Sequence, residues 1–86
     1  MAQAGYTTAL TRRIGQRLAA ERYARRLTQR DVGEMMGIAQ SAVYRIEAGI
    51  FTRIHTMAQY AELMGYDVDF QFVPLEWGVN NAPDSE

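Results

Sequence analysis

The chain has no cysteine and no lysine, only two prolines and a single histidine. Without cysteine there is neither a disulfide framework nor a thiolate metal site. His55 has no second imidazole to share a metal with, so no metal ligand set is expected. No apolar run approaches the roughly 20 residues a membrane-spanning helix needs, and the N-terminus lacks an apolar core of signal-peptide length. A cytoplasmic protein with no membrane partner is therefore expected. A glycine-rich phosphate loop and a nucleophile–base pair are also missing. Asp67 and Asp69 share a strand face with side chains ~7 Å apart, but they read as solubilising groups. No catalytic residue, cofactor or enzyme activity is expected.

The 86 residues are 48 % hydrophobic and 22 % charged, enough for one small folded domain. All nine cations are arginine, and their placement is uneven. Residues 1–53 hold every arginine against Glu21, Asp31, Glu34 and Glu47, a balance of +5. Residues 54–86 hold six acids and no cation, a balance of −6. A chain with a net charge of only −1 thus presents a basic half suited to a polyanion.

Hydrophobic spacing divides the chain further. Residues 1–8 read as an arm, with Thr7 or Thr8 capping a helix that begins near Ala9. Leu10, Ile14 and Leu18 form its apolar stripe, and it runs to about Arg25. Thr28 and Asp31 have capping-box spacing for a short helix, Gln29 to Met36, that buries Val32, Met35 and Met36. Gly37 suits the left-handed position that closes it. A third helix, Gln40 to Ala48, buries Val43 and Ile46. A fourth starts near Thr52, turns Met57, Ala61 and Met64 inward, and ends at Gly65.

In YDVDFQFV, residues 66–73, the period changes to two: Val68, Phe70 and Phe72 alternate with Asp67, Asp69 and Gln71. This predicts a β-strand, yet nothing upstream reads as a second one. The economical pairing is with the same strand of a second copy across a two-fold axis, which makes Val68, Phe70 and Phe72 dimer residues. Residues 74–86, turn-rich and acidic around Trp77, read as a flexible tail.

Two short helices joined at a glycine form a helix-turn-helix. Gln40 and Ser41, with Arg45 one turn later, project from the flank opposite Val43 and Ile46. Glutamine bonds adenine, arginine bonds guanine and serine takes either role, so these three are the base-reading candidates. Arg26 and Arg30, with Arg22 and Arg25, lie near enough to meet phosphates.

TQRDVGEMMGIAQSAVYRIEAG resembles the lambda-repressor-like (Xre/Cro) helix-turn-helix family, and the likeness extends from about Ile14 to Gly65. Its markers are the Thr-Gln opening, the Gly-Ile-Ala turn and the closing Arg-Ile-Glu-x-Gly. The resemblance implies a bundle of five short helices or a close variant, spanning residues 9–65 here. It further implies a dimer on double-stranded DNA with the third helix in the major groove. By position it assigns base reading to Gln40, Ser41 and Arg45, and backbone contacts to Gln29, Tyr44 and Arg53. Glu47 matches a structural position. Gly33 stands where the family prefers alanine. The following strand resembles the HipB-like antitoxins, in which it forms an intersubunit sheet, and this brings in a toxin as a second partner. Free-standing regulators and phage repressors share the layout. The expected fold is thus mainly α: a lambda-repressor-like bundle with one C-terminal β-strand pairing across a dimer. The expected function is that of a repressor, cytoplasmic and nucleoid-associated. The alternative is a protein–protein adaptor that keeps the fold without binding DNA.

Overall fold

The computed structural model describes residues 2–51 and 53–74, with side chains from residue 9 onward. Four helices follow one another: α1 (Ala2–Ala24), α2 (Gln29–Met36), α3 (Gln40–Glu47) and α4 (Ile54–Leu63). The bundle therefore has four helices among the described residues, a close variant of the five that the family resemblance implied.

The expected N-terminal arm is helical, since α1 begins at Ala2 rather than near Ala9. The helix passes through Gly5, Thr7 and Thr8 despite their low helix propensity, so the capping geometry read at Thr7 or Thr8 is only a local alternative. Thr52, the expected start of the fourth helix, lies outside the described residues, as do residues 75–86 with Trp77.

The helix ends repeat one device. After each helix an amide two or three residues past its end bonds back across six residues: Leu27 to Arg22, Ile38 to Gly33, Ile50 to Arg45 and Tyr66 to Ala61, at 2.8–3.2 Å. This closure needs a left-handed residue just before that amide. Gly37, Gly49 and Gly65 supply it with φ of 73°, 83° and 94°. After α1 the residue is Arg26, at φ 57°, a conformation disfavoured for a residue with a Cβ.

At its start α2 carries the full capping box. The Thr28 hydroxyl accepts from the Asp31 amide at 3.0 Å, and the Asp31 carboxylate accepts from the Thr28 amide at 2.9 Å.

The core is Leu18, Val32, Val43, Ile46, Met57, Tyr60, Ala61 and Met64, ringed by half-buried Ile14, Leu27, Met36, Ile38, Phe51 and Val68. Met35 departs from expectation and is 54 % exposed. The face that α2 turns to the bundle is the narrow stripe of Gln29, Val32, Gly33 and Met36. Two glycines allow helices to meet at backbone distance. A Cβ on Gly15 of α1 would lie 2.5 Å from the Ile46 carbonyl oxygen and press on that of Glu47. A Cβ on Gly33 would lie 2.7 Å from the Ile38 oxygen, which accounts for glycine where the family prefers alanine.

Residues 66–74 form neither helix nor strand. A strand exists only through pairing, and no other extended segment among the described residues offers a ladder. Val68 rests half-buried on the core, while Phe70, Phe72 and Val73 stand exposed. The expected C-terminal β-strand is therefore absent from the single chain.

Candidate nucleic-acid interface

Helix α3 is two-sided. Val43 and Ile46 are buried, whereas Gln40, Ser41, Tyr44 and Arg45 are exposed. Residues 40, 41, 44 and 45 fall on one helical face by 3.6-residue spacing. Ala39 at the N-cap makes no side-chain cap, and the Ala42 and Val43 amides bond to its carbonyl, which leaves the Gln40 and Ser41 amides as the uncapped donors of α3. Ser41 and Arg45 also line a groove of about 410 Å³ with Ile50, Phe51 and Arg53.

The inner side of α3 is anchored through one carboxylate. Arg22 of α1 donates from Nε and Nη2 to Glu47 at 2.6 and 2.9 Å. Its Nη1 donates to the Leu27 carbonyl at 2.9 Å, so the guanidinium is well satisfied although its side chain is only 6 % exposed. Gln29 Nε2 donates to Glu47 at 3.0 Å, and the buried Tyr60 hydroxyl donates to the same carboxylate. Burial works against the Glu47 charge, but the donors from Arg22, Tyr60 and Gln29 outweigh it and hold the carboxyl below its ordinary value. Burial and the neighbouring Glu47 raise the Tyr60 phenol, which therefore stays protonated and donating. A second lock sits at the C-terminus of α3, where Thr11 donates to the Gly49 carbonyl at 2.7 Å.

The arginines divide into two sets. Arg22 faces inward on Glu47, and Arg25 donates to Glu21 at 2.8 Å and to the Met64 carbonyl at 2.6 Å. Both were candidates for phosphate contact, and both instead tie α1 to the bundle. Arg17 pairs with Glu21 at 3.0 Å, and the Tyr66 hydroxyl closes the group at 3.1 Å. Arg26, Arg30, Arg45 and Arg53 are exposed and make no ion pair among the described residues. Gln29 is half-buried, and its side-chain amide is turned toward Glu47. Val68 and Phe70 line a second groove of about 470 Å³ with Leu10 and Ile14, and Phe72 stands clear of it.

Sequence reasoning missed the Arg22–Glu47 pair and the Tyr60 hydroxyl. The available signal was Glu47 itself, an acid one residue beyond buried Ile46 and, on the helical wheel, beside buried Val43. No helix among the described residues is long and apolar enough to cross a membrane. No cluster of metal-ligating side chains occurs among them.

No curated protein and no solved structure matches this chain. A family model described as helix-turn-helix matches residues 18–71, from the middle of α1 through α4 into the extended segment. The chain belongs to that family, the lambda-repressor-like (Xre/Cro) helix-turn-helix proteins.

Proposed function

We propose that this protein is a sequence-specific transcriptional repressor that places the exposed face of α3 in the major groove of an operator. The observation that carries the reading is the division of α3. Gln40, Ser41 and Arg45 project without partners among the described residues, while Glu47 on the inner side fixes the helix against three others. The three projecting groups are the donors and acceptors that base edges require. Arg26, Arg30 and Arg53, the Tyr44 hydroxyl and the main-chain amide of Gln29 contact the flanking phosphates. Those contacts supply much of the affinity, which falls steeply with salt.

The repressor is a homodimer on an inverted repeat whose half-sites lie about one helical turn apart. Val68, Phe70 and Phe72 form its contact by strand pairing between two copies. The reading rests on the exposure of Phe70 and Phe72 and on a backbone over residues 69–74 that has no bonded partner among the described residues. The layout of a helix-turn-helix followed by this segment favours an antitoxin that represses its own operon and binds a toxin. A kinase-like or ribonuclease reading frame beside the gene supports that setting, and its absence favours a free-standing regulator. Such a protein works in the cytoplasm, on the nucleoid.

Selection of bound sequences from random DNA, with sedimentation of the protein alongside, tests the proposal. An enriched inverted repeat bound by two copies is expected. No enriched sequence favours the adaptor that keeps the fold without binding DNA.

A further inference from the structure

The hydrogen bond between Gln29 and Glu47 joins the first residue of α2 to the last residue of α3. The other ends of the same two helices are joined by the turn at Gly37, with Ile38 bonded back to Gly33 at 2.9 Å. The helix pair is therefore fastened at both ends, by a covalent turn at one and by a side-chain clasp at the other. Arg22, Tyr60 and Thr11 hold the far end of α3 to α1 and α4, and the clasp adds the tie between that end and α2. Glu47 is itself immobilised by Arg22 of α1 and Tyr60 of α4, so the clasp refers α2 to a fixed point of the bundle.

We propose that Gln29 is a positioning residue for sequence recognition. Its side-chain amide clasps Glu47, which sets the angle between α2 and the exposed face of α3, and so aligns Gln40, Ser41 and Arg45 with base edges while α2 rests on the backbone. This inference depends on the DNA-reading role of α3 proposed above. It separates two contributions that a direct phosphate ligand would merge. Backbone contacts carry no sequence information, whereas base contacts require register. Loss of the clasp therefore lowers discrimination and leaves general affinity for DNA intact.

Gln29→Met tests this, because methionine keeps the length of the side chain and removes the donor. Arg22 and Tyr60 still hold Glu47 in the variant, so the fold survives, and thermal melting verifies it. Binding of the full chain is measured on its selected duplex and on a random duplex at several salt concentrations. The expected result is an affinity about tenfold weaker on the selected duplex, with the random duplex and the salt slope unchanged. An equal loss on both duplexes overturns the proposal and makes Gln29 a direct phosphate ligand. A lower melting temperature with unchanged affinities of the folded protein also overturns it and leaves the clasp as a stability contact. Failure of the unaltered chain to distinguish its selected duplex from the random one removes the reading role of α3, and this inference with it.

Discussion

Arg22 and Glu47 meet as a two-pronged ion pair across 25 residues of sequence, with side chains only 6 % and 7 % exposed. Such a pair is worth little more than well-packed apolar groups while intact, because desolvation offsets the Coulomb attraction. Breaking one side is different, since the remaining charge is buried alone. Glu47→Ala is expected to cost about 3–5 kcal/mol in urea denaturation, and Arg22→Met with Glu47→Met to cost less than that single change.

Arg26 occupies the left-handed position that glycine fills after the other three helices. Arg26→Gly is expected to raise stability by about 1 kcal/mol, the relief of left-handed strain being partly offset by the greater freedom of an unfolded glycine. The same change removes an exposed charge proposed to meet phosphate, so the slope of log affinity against log salt shallows by about 1. Denaturation and salt-dependent binding thus move in opposite senses.

Gly15→Ala would gain about 1 kcal/mol of helix propensity on an exposed helix. Here the added methyl meets the carbonyl oxygens of Ile46 and Glu47, both main-chain atoms that cannot turn aside. A net loss of about 1–3 kcal/mol is expected in denaturant melts, together with weaker DNA binding because the C-terminus of α3 is displaced.

Acid and base act on different partners of the central network. Glu47 is held below its ordinary value of 4.5 by its donors against the cost of burial, and Asp31 below 3.8 by the Thr28 amide. A depressed carboxyl contributes stability that is complete above its unfolded value and is lost as pH falls through the folded one. The melting temperature is therefore expected to hold from neutrality to about pH 5 and to drop below that. Tyr60, raised from 10.0 by burial and by Glu47, has the opposite sign: its contribution is full below pH 10 and lost at higher pH. Tyr60→Phe removes the alkaline limb and spares most of the acid one.

Local signals were the legible ones. The Thr28–Asp31 capping box, the turn at Gly37 and the polar face of α3 each depend on residues a few positions apart, and each formed as expected. Gly33 was legible only through the family resemblance, as a glycine where alanine is preferred. Gly15 carried no such mark, since its neighbour is the end of α3, far away in sequence. The arginines show the same limit. Arg22 and Arg30 have identical side chains on basic segments, and only the folded bundle makes one an internal strut and leaves the other exposed. Helix α1 began earlier than its capping residues implied, because a Thr that can cap a helix can also sit inside one. The alternation over residues 66–73 is plain, but a strand is a property of two segments, and one chain supplies one.

The most direct test of the central claim is residue-resolved mapping of amide chemical shifts as the selected duplex is added to the full chain. The account predicts that the largest changes fall on residues 40–45, with smaller ones at Gln29, Arg30 and Arg53. Changes confined to the groove of Leu10, Ile14 and Phe70, with residues 40–45 unmoved, would contradict it.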